Sequence, residues 1–346
     1  MGRRILWGSL ALAPVTVAVK FAFHPGDVAL FVLAACSLIP LAWLIGESTE
    51  HAAEHTGPGI GGFLNASFGN APELIIALFA VADNLPEVVR GSLSGSVISN
   101  LLLVYGVTQI AGPDGERIDR RSLLSQVGLV GLAVLLFVAP VAIGAHGGRD
   151  SHGALVASVP VAVVLLLVYL AVVGRNLRRH RRSERHEPTA GAWSLPAALA
   201  TLGVATGATA WVSEILVHSL GAFGRAVGLS EFFIAVVIVA IVGNAAEHGG
   251  AIVIARSGKM KLATEIAISS SAQVGLLVVS VVALLSLLFA HPLTLAFRPV
   301  ELAVMAGAVL VVGATVRDGT SRKWEGAAGV LAYAAAVGLF YAFGGT

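Results

Sequence analysis

The stretch Gly69-Asn70-Ala71-Pro72-Glu73 returns almost unchanged as Gly243-Asn244-Ala245-Ala246-Glu247, 174 positions further along the chain. Both copies lie inside long apolar segments, where inserting a charged side chain costs about 2.5–3.5 kcal/mol. A carboxylate in such a segment normally faces a partner or a water-filled cavity rather than lipid. Two matching glutamates in two halves of one chain therefore predict a cation site built on an internal repeat.

The composition is that of a membrane protein. Of the 346 residues, 56% are hydrophobic and 12% are charged, and the mean hydropathy is +0.86, whereas soluble domains carry about 25% charged residues. Apolar runs that are long enough to cross a bilayer recur throughout, so the sequence predicts an all-α integral membrane protein with about 11 transmembrane helices. The predicted spans are residues 5–23, 27–45, 59–82, 86–111, 122–144, 153–174, 193–220, 230–255, 262–290, 297–316 and 324–343.

The distribution of basic residues predicts the orientation. With the N-terminus in the cytoplasm, 17 of the 22 Lys and Arg residues fall on that side, as the positive-inside rule requires. The odd number of spans then places the C-terminus on the opposite side, and in a prokaryote the membrane would be the inner membrane. The basic residues left at or near the other face are Lys20, Arg90, Arg149, Arg225 and Arg298.

The repeat extends beyond the pentapeptide. Gly95-Ser96-Val97-Ile98-Ser99 aligns at the same offset with Ser269-Ser270-Ser271-Ala272-Gln273. Spans two to six and seven to eleven then form two five-helix units, and an odd number of crossings inverts the second, as in many secondary transporters. The predicted organisation is an extra N-terminal helix (1–26), a first repeat (27–174), a basic cytoplasmic linker (175–192) and a second repeat (193–346).

The linker and the pentapeptides each have a simpler interpretation. The arginines of 175–192 are typical of a nucleic-acid or anionic-lipid patch, but also of a topological anchor, which we favour; we expect no nucleic-acid partner. Asn70 and Glu73 have capping-box spacing, and Pro72 is tolerated only in a first helical turn. A helix that starts in mid-membrane is a broken helix, so capping and ion binding are compatible, with Gly69 and Gly243 at the breaks.

Helical spacing places polar side chains from four helices on matching faces. Carboxylate, amide and hydroxyl oxygens suit Ca²⁺, which takes about six to eight oxygen ligands. Carboxylates removed from water also gain affinity for protons, so cation and proton would compete for one site, as antiport requires. The candidate cation and proton ligands are Glu73, Glu247, Asn70, Asn244, Ser96, Ser99, Ser270 and Gln273.

These motifs resemble those of the cation/proton exchanger (CAX) family of the calcium/cation antiporter superfamily. The resemblance rests on residues 61–75, 94–102, 243–248, 269–273 and 318–326. It implies eleven helices, Ca²⁺/H⁺ exchange driven by a proton gradient, and Glu73 and Glu247 as shared cation and proton sites. It also implies that the asparagines, serines and glutamine of the candidate set help to line the path.

Other polar residues are of second rank. Glu50 and Glu214 could relay protons or guide cations, and His248 could sense pH or simply pack against its neighbours. The run Glu47–His55 has spacing that could bind a metal, although we favour a solvated cytoplasmic helix end.

The alternatives to Ca²⁺/H⁺ exchange are a Na⁺/Ca²⁺ or other cation exchanger and, from another class, a cation channel or passive scaffold. No nucleotide-binding loop or nucleophile–base constellation predicts an enzyme, and no cofactor or obligate protein partner is expected. The expected partners are Ca²⁺, H⁺ and the lipid bilayer.

Overall fold

A computed structural model of the chain describes residues 2–23, 26–180 and 193–344. Most of the predicted linker, residues 181–192, lies outside these ranges. The helices are α1 (Gly2–Ser9), α2 (Leu12–Ala22), α3 (Asp27–Phe68), α4 (Ala71–Ala82), α5 (Pro86–Ala111), α6 (Arg120–Gly147), α7 (His152–His180), α8 (Leu195–Val227), α9 (Glu231–Gly243), α10 (Ala245–Arg256), α11 (Met260–Ser286), α12 (Pro299–Thr315) and α13 (Lys323–Phe343).

The predicted helical membrane fold is confirmed, whereas the count of eleven spans is not. Within the described ranges, nine helical segments are long and apolar enough to cross a membrane, one of them (Arg4–Ala22) combining α1 and α2. The number in these ranges is ten if α9 and α10, bent by 56° at their junction, form one span. The predicted span 59–82 is the one that differs. Its first part belongs to α3, which runs without a break to Phe68, and only the 12-residue α4 follows.

The polar stretch inside α3 keeps its buried hydroxyl groups hydrogen-bonded within the helix. Ser48 and Thr49 donate hydrogen bonds of 2.6 and 2.7 Å to the carbonyls of Leu44 and Ile45, one turn earlier. The glutamates and alanines that follow favour a helix. Hydropathy therefore separates two apolar segments here without separating two helices.

The 174-residue offset reappears in the helix boundaries. The half-helices α4 and α10 each have 12 residues and start at Ala71 and Ala245, and α5 and α11 start at Pro86 and Met260. The hydroxyl of Ser271 donates a 3.2 Å hydrogen bond to the carbonyl of Val97, its equivalent at this offset. A residue can meet its own equivalent only near an axis that relates two repeats, so this contact supports the predicted internal repeat.

Each repeat also carries a π-helical segment at a matching place. In α5 this segment is Ser99–Val104, and in α11 it is Val274–Val278. A third such segment, Ile234–Val239, lies in α9. Segments of this type are rare and often mark functional sites. The segment in α5 begins at the predicted ligand Ser99, and the segment in α11 begins directly after the predicted ligand Gln273.

The chain divides into two compact units that each combine segments of both predicted repeats. Unit 1 comprises Met1–Phe79, Leu167–Leu229 and Val242–Ala246, and unit 2 comprises Ala80–Leu166, Ser230–Ile241 and Glu247–Thr346. In unit 1, α3 packs along α8 around a core of Leu44, Ile45, Ala71, Leu202 and Ala205. In unit 2, α5 packs against α9, α11 and α13.

Glycines allow the close packing of α5 in unit 2. A Cβ at Gly95 would overlap the carbonyl of Val236 in α9. A Cβ at Gly326 would lie 2.5 Å from the carbonyl oxygen of Gly106 and 2.9 Å from Cβ of Gln109. Small residues at such contacts let helix backbones approach each other, which is how helices associate in lipid.

We expect Gly326→Ala to destabilise the protein by about 1–3 kcal/mol, because the added methyl group forces α5 and α13 apart. The matched control is Gly338→Ala in the same helix, where no atom lies within 4 Å of the new Cβ. That variant should be neutral or gain up to about 1 kcal/mol. Unfolding midpoints in detergent measure both changes, and equal midpoints for the two variants would contradict the packing argument.

Candidate functional site

The first half-site lies in unit 1, where a helix starts beside a polar break. Helix α3 ends at Phe68 and α4 starts at Ala71, so Gly69 and Asn70 form the break, and Pro72 and Glu73 lie in the first turn of α4. Glu73 is only 7% exposed and Asn70 only 2%. The break and the first turn of α4 thus place an amide and a carboxyl group close together in sequence at a helix N-terminus. Both groups carry oxygen atoms that can bind a cation.

The second repeat contributes to this half-site. Gly243 and Asn244 belong to unit 1 as well, and Asn244 is 1% exposed. Oε1 of Glu73 lies 3.3 Å from the position that a Cβ on Gly243 would take. The glycine of one motif therefore packs directly against the glutamate of the other.

This contact leads to a prediction for Gly243→Ala. The added methyl group should displace the Glu73 carboxyl by a few tenths of an ångström and raise the KM for Ca²⁺ about five-fold, since small misplacements of reacting groups have large effects. Gly249→Ala, where nothing lies within 4 Å of a Cβ, is the matched control. Ca²⁺ uptake into proteoliposomes measures both, and an unchanged KM for Gly243→Ala would show that the contact is unimportant.

The second half-site lies in unit 2. Glu247 occupies the first turn of α10 and is half-buried. Its Oε2 atom is buried and has no protein hydrogen-bond partner among the described residues, and the Ser270 hydroxyl is the side chain that hydrogen-bonds to the carboxyl. A buried carboxyl oxygen without a protein partner is a suitable ligand for a cation or a carrier for a proton.

The other candidate ligands of unit 2 lie on α5 and α11. Ser96, Ser99 and Ser270 are at most 2% exposed, whereas Gln273 is half-buried. Ser99 donates a 3.2 Å hydrogen bond to the carbonyl of Ser96 within its own helix. The structure thus brings Glu247 and Ser270 together, and it places the predicted ligands of the second unit on the two helices that follow the half-helices.

Sequence reasoning missed Asn100. This residue follows Ser99 in the π-helical segment of α5 and is 1% exposed. Its amide contacts Ser270 at 3.0 Å and Nε2 of His248 at 2.9 Å, so His248 is part of a buried polar chain. The signal was present in the sequence, because a side-chain amide within a membrane-spanning segment is expected to form a hydrogen bond to another helix.

Glu50 and Glu214 lie in unit 1. Glu50 is exposed and Glu214 is half-buried. In the neighbouring run, His51 pairs with Glu47 at 3.6 Å, and Nε2 of His55 lies 2.6 Å from the carbonyl oxygen of Trp193. Among the residues that the structure describes, no three His, Cys, Asp or Glu side chains are grouped as a metal site, so the metal-binding interpretation of the run has no structural support.

Comparison with known proteins identifies the family. The sodium/calcium exchanger protein family matches residues 27–177 and 197–342, which is most of the chain. The chain belongs to this family. The resemblance to cation/proton exchangers is also confirmed, because the relatives include such proteins at more than 30% identity.

Several relatives of this exchanger-family chain are named for transport activities. It is 38% identical over 334 residues to the Ca²⁺/H⁺ antiporter ChaA of Bacillus subtilis, covering 92% of this chain and 93% of the relative. It is 35% identical over 346 residues to the vacuolar cation/proton exchanger 1a of Oryza sativa, and the alignment covers 92% of this chain and 76% of the relative. Among solved structures it matches native YfkE at 34% identity with a TM-score of 0.84, covering 98% of this chain and 99% of that chain.

A buried arginine organises one end of unit 2 in this exchanger. Arg90 is 0% exposed and pairs with Glu87 at 2.6 Å and Asp150 at 2.8 Å. Glu87 also pairs with Arg149 at 2.8 Å and Arg298 at 2.9 Å. Three of the five basic residues predicted to avoid the cytoplasmic side thus converge on one glutamate, although the side itself stays a prediction.

A cavity of about 400 Å³ lies next to this cluster, and Asp150, His152, His291 and Thr294 are among its lining residues. No predicted ligand lines it. Its position beside the Arg90 cluster, and not at a half-helix break, separates it from the candidate ion site.

Proposed function

We propose that this chain exchanges Ca²⁺ for H⁺ across a membrane by alternating access, with Glu73 and Glu247 serving both ions. The observation that carries the proposal is the duplication of one structural device. Each glutamate lies in the first turn of a 12-residue half-helix, and the two half-helices start 174 positions apart. Relatives named Ca²⁺/H⁺ antiporters share 33–38% identity with this chain over more than 90% of its length.

The chemistry of the donors supports a hard divalent ion. Two carboxylates match the charge of Ca²⁺, and the amides of Asn70 and Asn244 and the hydroxyls of Ser96, Ser99 and Ser270 add neutral oxygens. Gln273 adds a further amide oxygen. Thiolate or imidazole clusters, which would favour softer metals, do not occur in the described part of the chain.

Proton coupling follows from the same carboxylates. A buried carboxylate must be neutralised by a cation or by a proton, because an uncompensated charge is unfavourable in a low-dielectric environment. Binding of Ca²⁺ on one side therefore displaces protons, and protonation on the other side releases Ca²⁺. Alternating access lets the site reach each side of the membrane in turn.

The experiment is transport by the purified protein in proteoliposomes. With an internal pH dye and an imposed proton gradient, external Ca²⁺ should produce a proton flux of opposite direction. Replacement of K⁺ by Na⁺ in the same assay tests the Na⁺/Ca²⁺ alternative. A Ca²⁺ flux whose rate does not depend on the imposed proton gradient, or that requires Na⁺, would refute the proposal.

We further infer that the N-terminus is cytoplasmic and the C-terminus lies on the opposite side, in the inner membrane of a prokaryotic cell. The support is the placement of 17 of 22 basic residues on one side of the predicted topology. In a Cys36→Ser background, Gly2→Cys and Gly344→Cys should react with an impermeant thiol reagent from opposite sides. Labelling of both from one side would overturn the topology.

A further inference from the structure

We propose that Asn100 is a positioning residue of the second half-site, which directs the Ser270 hydroxyl toward Glu247 and makes the two half-sites chemically different. This inference rests on the proposed function, since it concerns the same carboxyl. It adds a residue outside the predicted ligand set, and it assigns that residue an action through another side chain.

The hydrogen-bond chain has one consistent direction. An ionised Glu247 carboxyl can only accept, so Ser270 must donate its hydroxyl proton to it. The Ser270 oxygen is then an acceptor for the Asn100 side-chain amide, whose Nδ2 donates to it at 3.0 Å. Oδ1 of Asn100 is left facing His248 at 2.9 Å, and because that oxygen only accepts, Nε2 of His248 must carry the proton.

The chain occurs in one repeat only. At the 174-residue offset, Ser270 corresponds to Ser96 and Glu247 to Glu73, but Asn100 corresponds to Val274 and His248 to Leu74. Neither Val274 nor Leu74 has a side chain that can form a hydrogen bond. The Asn100 and His248 side chains that continue the chain from Ser270 therefore have apolar residues at their equivalent positions.

The expected consequence is preorganisation of a cation ligand. With one lone pair engaged by Asn100 and its proton engaged by Glu247, the Ser270 oxygen keeps one lone pair for a cation. Without Asn100, a serine in a helix turns its hydroxyl to a backbone carbonyl one turn earlier, as Ser48 does in α3. The Asn100 side chain thus keeps Ser270 out of that alternative conformation.

The test is a double-mutant cycle on the KM for Ca²⁺ in proteoliposomes. Asn100→Val and Ser270→Ala should each raise KM about ten-fold, the value of one well-placed hydrogen bond, with a smaller change in maximal rate. The double variant should raise KM no further than Ser270→Ala does, because the proposed effect of Asn100 on Ca²⁺ binding passes through Ser270. Multiplying effects in the double variant, or an unchanged KM for Asn100→Val, would overturn the proposal. Val274→Ala is the matched control and should leave KM within about two-fold.

A spectroscopic readout is independent of transport. Protein labelled with ¹⁵N-histidine should show the His248 signal, assigned by its loss in His248→Leu, in the Nε2–H tautomer. Asn100→Val should change that signal, and Asn100→Ala provides the same comparison if the valine variant does not fold. A wild-type His248 protonated only on Nδ1 would refute the chain of hydrogen bonds. Inactive wild-type protein with the expected tautomer would instead refute the proposed function and leave Asn100 as a structural contact.

Discussion

Glu73→Gln and Glu247→Gln are each expected to reduce Ca²⁺-driven proton flux by about 100-fold or more. Glutamine keeps the shape and one oxygen of the side chain but removes its charge and its ability to carry a proton. The loss of a charged ligand from a buried site corresponds to about 1.5–3 kcal/mol in binding alone, and the loss of the proton carrier removes the coupled step as well. Flux in proteoliposomes with a pH dye measures the effect.

The control for these variants is Glu116→Gln, which changes an exposed glutamate in the loop between α5 and α6. This variant should transport at the wild-type rate. Near-normal exchange by either Glu73→Gln or Glu247→Gln would show that the duplicated motif is not the ion site, whatever the other glutamate does.

Arg90→Met is expected to lower the free energy of unfolding by about 3 kcal/mol. Arg90 is 0% exposed and pairs with Glu87 and Asp150. Its removal deprives Asp150 of this counter-charge and Glu87 of one of its three arginines. Denaturant- or heat-induced unfolding in detergent, followed by tryptophan fluorescence, measures the change.

Arg149→Met is the matched control for Arg90→Met, because it also removes an arginine that pairs with Glu87. The Arg149 side chain is 29% exposed, so its removal should cost less than about 1 kcal/mol. If the two variants were equally stable, the buried arginine would not be what organises this end of unit 2.

Much of the architecture follows from the sequence. The repeated pentapeptide places a helix start at each glutamate, and α4 and α10 begin at Ala71 and Ala245. Apolar runs give most of the spans. These features are predictable because both copies share a glycine and an amide four and three residues before a glutamate, a capping pattern that local chemistry favours at a helix start.

Other features depend on tertiary contacts and could not be predicted. Hydropathy ends a span near Ile45, but α3 continues to Phe68 through Gly57-Pro58-Gly59, a stretch whose local helix propensity predicts the end of a helix. Arg90 was interpreted as a residue near a membrane face, yet it is buried because Glu87 and Asp150 supply its counter-charges. Asn100 lies only 27 residues after Glu73 in sequence but contacts His248 and Ser270, and no spacing rule brings those three together.

We propose above that Glu73 and Glu247 bind either Ca²⁺ or protons. The most direct measurement is calorimetric titration of the detergent-solubilised protein with Ca²⁺ in buffers of different ionisation enthalpy, which gives the number of protons released per ion bound. We predict that Ca²⁺ binding releases protons and weakens as the pH falls, and that Glu73→Gln and Glu247→Gln each lose both effects. Ca²⁺ binding without proton release, at an affinity independent of pH, would contradict the account.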